Sequence, residues 1–308
     1  MIDADGLNGT GGLNGTGGRG LGLWQPRVIP YVMRQLGRAL GDYERGISFG
    51  IIGIWAILLV IIPLLPLANP LHQNVNIALQ SPSLAHLFGT DELGRDMLSR
   101  TIWGGRQSVP AALVVVCIGF PLGTVIGAFA GYVGGAVEEV IMRITDMFLA
   151  FPVLVLAMAV SAALGPSLYH GVIALTIVWW PSYVRVTRGM VLELKNRDFV
   201  LISRAAGRRP LGILSRVIMP NVLPSVLVMA AIDIGRAILL FSMLSFLGLG
   251  AVPPTPEWGS MVSEGSMYMD QWWIATFPGL AILSLVFAFN LAGDSIRDAL
   301  DPWVTGRR

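Results

Sequence analysis

The chain has 308 residues, of which 54% are hydrophobic and only 13% are charged, and its mean hydropathy is +0.67. Soluble globular domains carry about a quarter charged residues, so the composition excludes an ordinary soluble enzyme and indicates a polytopic membrane protein. The net charge of +2 is too small to indicate a protein that binds nucleic acid. The single cysteine, Cys117, lies in an apolar run and has no partner for an internal disulfide.

Residues 1–46 form a polar segment that we expect to be a cytoplasmic tail. The string GLNGTG occurs at 6–11 and again at 12–17. Gly, Asn and Thr bury little apolar surface, so the first part of this segment is predicted to be disordered. The first apolar run begins too late in the chain for a signal peptide.

Six apolar runs are long enough to cross a bilayer, which takes about 20 predominantly apolar residues. They lie at 47–67, 109–132, 145–164, 171–187, 222–247 and 273–293. The pattern predicts an external loop at 68–105, a transmembrane domain at 106–294 and a cytoplasmic C-terminal tail at 295–308.

The distribution of basic residues predicts the orientation of the chain. With the N-terminus inside, most of the 21 Lys and Arg residues lie on the cytoplasmic side, as the positive-inside rule requires. The external side receives Arg95, Arg100 and Arg106, and Arg236 lies within a span. The loop at 251–272 has three acids and no base, which is consistent with an external position.

The longest polar interruption between the apolar runs of the second half is DFVLISRAAGRRPLGILSRVIMPN, at 198–221. Its apolar residues recur at spacings of three to five, which predicts short amphipathic helices. Gly207 and Pro210 break the pattern in the middle, and Pro220 marks the start of the next element. From periodicity alone, this basic stretch is either a lip on the membrane surface or a lever that a soluble partner pushes.

The sequence lacks the usual signatures of catalysis. A P-loop needs a lysine after a glycine-rich loop, and the one lysine, Lys195, has no such loop before it. The three histidines, His72, His86 and His170, are far apart in sequence, which argues against a metal site. Neither Gly-x-Ser-x-Gly nor His-Glu-x-x-His is present.

Asp233 and Arg236 form the clearest ionisable pair within a span. They are three residues apart and therefore neighbours on one helical face. They are either a self-neutralising pair that faces the helix bundle or part of a polar pathway. In the second run, Gly123, Gly127 and Gly131 place three small residues on one stripe, which predicts a face for close helix packing, with a hinge as the alternative.

Several strings, in order along the chain, resemble the permease subunits of dipeptide, oligopeptide and nickel ABC importers. They are FGTDELGRDMLSR at 88–100 with GRQS at 105–108; LAFP at 149–152 with LGP at 164–166; SFLGLG at 245–250, PPTP at 253–256 and WGSM at 258–261; and FNL at 289–291, GD at 293–294 and RDALDP at 297–302. The resemblance extends from about residue 45 to 303 and implies an all-α chain with six transmembrane helices and the type I ABC importer permease fold.

In that family a cytoplasmic coupling loop carries the motif Glu-Ala-Ala, three residues, Gly, nine residues and an apolar pair ending in Pro. Gly207 and Pro220 match it in register, whereas Leu201, Ile202 and Ser203 replace Glu-Ala-Ala, so the acid is missing. The resemblance implies that 198–221 is the coupling loop. Leu201 and Ile202 would dock in an apolar cleft of an ATPase, and acids at its rim would engage three basic residues, Arg204, Arg208 and Arg209.

The resemblance also implies the partners and the location. It implies a second permease, two cytoplasmic ATPase subunits that bind ATP and Mg²⁺, an external substrate-binding protein, and the bacterial inner or plasma membrane with both termini in the cytoplasm. The chain itself would bind no cofactor or metal and would not be an enzyme. A di- or oligopeptide is the expected substrate, with nickel or another small solute as the alternative. From the residues alone, an ion-driven carrier using Asp233 and Arg236, or a scaffold without transport, stays open.

Overall fold

The computed structural model describes residues 28–300, with side-chain surroundings for 43–298. The chain divides into two units, Met1–Leu40 and Gly41–Arg308. Of the first unit, residues 28–40 are described and belong to the first helix; the packing reported below is that of the second unit. The predicted disorder of the glycine-rich repeat lies outside the described residues.

The described residues form helices joined by turns and loops, of which the segment 62–96, between the first two helices, is the longest. The helices are α1 Val28–Ile61, α2 Met97–Val133, α3 Gly135–Leu149, α4 Val153–Leu164, α5 Leu168–Leu194, α6 Asp198–Ala205, α7 Pro210–Ile213, α8 Met219–Phe246, α9 Trp258–Ser266 and α10 Trp273–Leu300. Between 28 and 300 there is no β-strand, only an isolated bridge between Thr90 and Asp96. The predicted all-α class is confirmed.

Four of the described helices are long and apolar enough to cross a membrane: Tyr43–Leu64, Met97–Val133, Pro210–Phe246 and Trp273–Asp298. The pair α3 and α4 gives a fifth if it counts as one span, although its two helices meet at 86°. Helix α5 has 27 residues, but its aromatic and polar side chains keep its hydropathy lower. The membrane-spanning character is therefore confirmed, whereas the predicted number of six spans is not.

The predicted third span at 145–164 is wrong as one continuous helix. Helix α3 ends at Leu149, and Pro152 precedes α4 with an extended backbone (φ −55°, ψ 130°). Proline has no N–H to continue a helical ladder, so the chain changes direction at this point. Hydropathy registers the apolar run but not the bend.

Two side-chain caps start helices within the predicted loops. The carboxylate of Asp96 accepts the N–H of Ser99 at 2.9 Å, so α2 begins at Met97 within the predicted external loop at 68–105. Glu257 accepts the N–H groups of Gly259 and Ser260, each at 3.0 Å, and starts α9 within the loop at 251–272. Side-chain acceptors satisfy helix N–H groups that otherwise have no partner.

The centre of the fold is the contact between α2 and α5. A Cβ atom at Gly123 would lie 2.3 Å from the carbonyl oxygen of Trp180, and one at Gly127 would lie 2.5 Å from that of Val184. At Gly131 the corresponding distance, to the oxygen of Arg188, is 3.0 Å. Only glycine permits this approach, and the predicted close-packing face is confirmed.

Candidate functional site

Helix α6 is short and is held in place by a buried side chain and a defined C-terminal turn. Val200 is fully buried in the main hydrophobic core. The N–H of Gly207 donates to the oxygen of Arg204 at 3.0 Å, and that of Arg208 donates to Ser203 at 3.3 Å. These two bonds form a Schellman motif, in which Gly207 takes the left-handed conformation, with φ +76°. The predicted break at Gly207 is thus a rigid turn.

The chain beyond this turn is anchored again. Pro210 begins α7, and Ile213 and Ile218 are buried in the core. Residues Leu214–Ile218 form a π-helical turn before α8. Pro220, in the first turn of α8, has no N–H for the carbonyl of Arg216, and a widened turn accommodates its ring. Periodicity correctly predicted these short helices and their break.

Between the two anchors lies an exposed surface, which we call the coupling surface: Leu201, Ile202, Arg204, Arg208 and Arg209. Leu201 is 45% exposed and Ile202 is 68% exposed. Among the described residues, none of the three arginines has an ion-pair partner. An apolar centre beside unpaired guanidinium groups is suited to an apolar cleft with an acidic rim. The hydroxyl of Ser203 instead donates to the backbone oxygen of Phe199 on the same helix, at 2.8 Å.

The basic residues nearby, on α5 and just after it, bind acids or a carbonyl group of the same chain. Arg188 Nε donates to Glu138 of α3 at 2.6 Å, and Arg185 Nη2 donates to Asp146 at 2.5 Å. Lys195 Nζ donates to the carbonyl of Gly131 at the end of α2, at 3.0 Å. These contacts stabilise the end of the bundle that carries the coupling surface. Arg185, Arg188 and Lys195 thus differ from the three arginines of the coupling surface, which have no ion-pair partner among the described residues.

The structure brings Asp233 and Arg236 together on α8, away from the coupling surface. Arg236 Nη1 lies 3.6 Å from Asp233 Oδ1. The two side chains differ sharply in burial, because Asp233 is 6% exposed and Arg236 is 68% exposed. Tyr183 of α5 interacts with Asp233, but its buried hydroxyl has no partner at hydrogen-bond geometry. The acid therefore faces the bundle, whereas the base faces outward.

A largely buried ion cluster, which was not predicted from the sequence, consists of Asp91, Arg95, Arg100 and Glu264. Arg95 Nε donates to Asp91 at 2.6 Å, and Arg100 Nη2 donates to Glu264 at 3.0 Å. Both arginines are almost fully buried, although positive-inside counting treated them as loop residues. Burial raises the pKa of Glu264, while the two guanidinium groups act in the opposite direction. In the sequence, the spacing of four between Asp91 and Arg95 was the one feature that could have indicated this pair. Nothing in the sequence indicated the contact with Glu264.

A second buried acid, Glu257, joins α9 to α2. Its carboxylate accepts the hydroxyl of Ser108 at 2.8 Å, in addition to the two N–H groups that it caps. The neighbouring Trp258 donates its Nε1–H to the carbonyl of Thr101 at 2.8 Å. Burial raises the pKa of Glu257, and the hydrogen bonds that it accepts oppose that rise. These contacts make α9 a fixed cap over the start of α2.

Comparison with solved structures identifies the fold. Two inward-facing structures of the MetNI methionine ABC transporter align with TM-scores of 0.55 and 0.57, at 21% and 19% identity. Each alignment covers 67% of this chain and 98% of the other. At this identity the likeness establishes the permease fold alone.

Curated relatives are much more similar in sequence. The probable D,D-dipeptide transport system permease protein of Escherichia coli is 44% identical over 84% of this chain and 87% of its own length. The dipeptide transport system permease protein of Haemophilus influenzae is also 44% identical, over 84% and 91%. The di/tripeptide transport system permease protein of Pseudomonas aeruginosa is 46% identical over 70% and 72%.

The match to a protein family begins within α2 and includes the coupling surface. Residues 123–306 match the family described as binding-protein-dependent transport system inner membrane component. This range includes α6, its glycine turn and the whole of α8. The chain belongs to the binding-protein-dependent transport system inner membrane components, the permease subunits of ABC importers.

Proposed function

We propose that this chain is the permease subunit of an ABC importer and forms half of a membrane pathway for di- or oligopeptides. The observation that carries the proposal is the 40–46% identity to relatives named as dipeptide, D,D-dipeptide and di/tripeptide permeases. The other half is a second permease, and an external substrate-binding protein delivers the peptide. Two cytoplasmic ATPase subunits bind ATP and Mg²⁺.

The coupling surface is the contact with an ATPase. Its support is physical: α6 is anchored at both ends while Leu201 and Ile202 remain exposed beside three unpaired arginines. Conformational coupling requires contacts that differ between the ATP-bound and free partner. A rigid helix transmits such a difference, and a flexible loop does not. The missing family glutamate at Leu201 makes this contact apolar where relatives with the full motif place an acid.

Ile202→Asp tests the contact without changing the fold. Ile202 is exposed, so an aspartate there leaves the core intact, but it places a charge in the proposed apolar cleft. We expect loss of copurifying ATPase and at least a tenfold fall in ATP-dependent peptide uptake in proteoliposomes, corresponding to about 1.4 kcal/mol or more. The matched control is Leu84→Asp, at a 98% exposed position in the predicted external loop, where we expect neither effect.

Gly207→Asp tests the turn itself. With φ at +76°, any other L-residue strains the end of α6 and disturbs the presentation of the coupling surface. We expect uptake to fall together with the ATPase contact. Intact assembly and uptake in both Ile202→Asp and Gly207→Asp would show that this stretch is not the coupling element.

Uptake that continues without ATP would contradict the proposal and favour an ion-driven carrier built on Asp233 and Arg236. Competition in the same assay addresses the substrate. Unlabelled peptides of graded length should suppress uptake of a labelled dipeptide, whereas Ni²⁺ should not. Suppression by Ni²⁺ alone would move the assignment to nickel.

A further inference from the structure

Arg236 occupies an unusual place for a charged residue. It lies close to the centre of the apolar run at 222–247, on α8, and 68% of its side chain is exposed. A guanidinium group in the middle of the hydrocarbon layer is strongly unfavourable, so such residues face a bundle interior, a water-filled cavity or a partner. In this chain the side chain does not face the bundle interior.

Helix α8 is also an inner helix. In the most apolar 18-residue stretch of α2, and in that of the segment Pro210–Phe246, 44% of the residues are buried. The corresponding values are 11% for the span in α1 and 28% for that in α10. Helices α1 and α10 therefore offer the larger lipid-facing surfaces. The exposed side of α8 is better placed to face a pathway that the importer completes with its second permease.

The guanidinium group of Arg236 has one contact with an acid and is otherwise exposed. Among the described residues, Asp233 is its sole acidic partner, and the contact is long, at 3.6 Å. Arginine presents five N–H donors in a planar fork that matches the two oxygens of a carboxylate. Asp233 is buried behind it and cannot serve as a receptor for a cation. The pair is therefore a fixed site for an anion.

We propose that Arg236 binds the C-terminal carboxylate of the peptide as the peptide crosses the membrane, with Asp233 as the positioning residue. This inference rests on the proposed function. A free peptide carries this carboxylate whatever its side chains are, so one arginine serves peptides of many sequences. The ammonium end is repelled by the same group, and the peptide therefore enters in one orientation.

The test compares a dipeptide with the same dipeptide amidated at its C-terminus, which removes the negative charge. Uptake is measured in proteoliposomes that contain the complete importer, with both peptides at concentrations that saturate the binding protein, as determined separately by equilibrium binding. Selectivity is the ratio of the two uptake rates for each ATP hydrolysed. For the unmodified importer we expect a ratio of at least about ten, since hydrogen bonds to charged groups are worth about this factor or more.

Arg236→Ala should reduce this ratio to about one, through loss of uptake of the free acid and not of the amide. Arg236→Lys keeps the charge without the fork and should retain part of the selectivity. Leu239→Ala, at a 39% exposed position about one turn further along α8, is the control and should leave the ratio unchanged. Copurification of the ATPases and the second permease establishes that each variant assembles.

Two results would overturn the inference. One is an equal loss of free-acid and amide uptake in Arg236→Ala, which would mean that Arg236 pairs with an acid of another subunit. The other is a selectivity that Arg236→Ala leaves intact. If Arg236→Ala does not assemble, a Lys variant that assembles with selectivity equal to that of the unmodified chain overturns it as well. The proposed function fails separately, through absence of ATP-dependent uptake in the unmodified importer.

Discussion

Gly127→Ala gives a quantitative test of the contact between α2 and α5. The added Cβ would lie 2.5 Å from the carbonyl oxygen of Val184 and 2.9 Å from its Cα, whereas ordinary contacts begin at 3.4 Å. Both are backbone atoms and have no rotamer that relieves the overlap. The two helices must therefore separate by roughly 0.9 Å, and overpacking of this kind costs about 1–3 kcal/mol.

The matched control is Gly53→Ala, within α1. A Cβ atom at Gly53 meets nothing within 4 Å, so alanine adds no clash and gains up to about 1 kcal/mol of helix propensity. We expect Gly127→Ala to lower the melting temperature of the detergent-purified protein by several degrees, and Gly53→Ala to leave it unchanged or raise it. Fluorescence-detected size-exclusion chromatography after heating measures both.

The outcome also separates packing from hinge motion. If the glycine stripe serves packing, stability and uptake fall together in Gly127→Ala. Equal melting temperatures for the two variants would refute the reasoning from distances. Unchanged stability with lost uptake would instead indicate that the glycines are needed for motion during transport.

Two further predictions concern the cap that α9 forms over the start of α2. Arg100→Met removes one partner from a buried cluster and leaves Asp91 and Glu264 undercompensated, so we expect about 3–5 kcal/mol of destabilisation by thermal unfolding, against no more than about 1 kcal/mol for exposed Arg106→Met. Because burial holds the pKa of Glu257 above its ordinary 4.5, the folded chain binds that proton more tightly than the unfolded chain, and stability should fall as the pH rises from 4.5 through the folded-state pKa. Glu257→Gln should remove the part of this dependence that Glu257 supplies and leave the part from Glu264, whose pKa burial also raises; an unchanged pH profile in that variant would contradict the assignment.

The features predicted correctly from the sequence are those that local chemistry determines. Gly207 and Pro210 break α6 from α7 because a left-handed residue and a missing N–H act within one turn. The stripe at Gly123 and Gly127 was recognisable from its spacing of four. Each of these signals lies within a few residues of its effect, so no knowledge of the tertiary fold was needed.

The features that were missed depend on distant partners. In the sequence Arg100 is typical of a charged residue in an exposed loop, and its burial depends in part on Glu264, 164 positions away in the chain. The bend before α4 was not predicted, because proline is tolerated within membrane helices. Hydropathy also gives no information on the direction of the helix axis. The burial difference between Asp233 and Arg236 likewise depends on how α8 packs against its neighbours. A helical spacing of three places the two on one face without deciding which of them is exposed.

A continuous helical segment begins directly after the coupling surface and contains Arg236. Pro210–Phe246 has 37 residues, and Pro210 lies about 39 Å from Arg236 at 1.5 Å per residue. The π-helical turn at Leu214–Ile218 is the one irregular segment along it. We therefore expect a displacement of α6 by the proposed ATPase partner to pass through the Gly207 turn and to reach Arg236 as a movement of this stiff segment, with any yielding at the two turns. A conformational equilibrium shifts only when contacts differ between its states, so we propose that ATP biases this equilibrium through the coupling surface, before the segment, and that the peptide biases it through Arg236, within the segment.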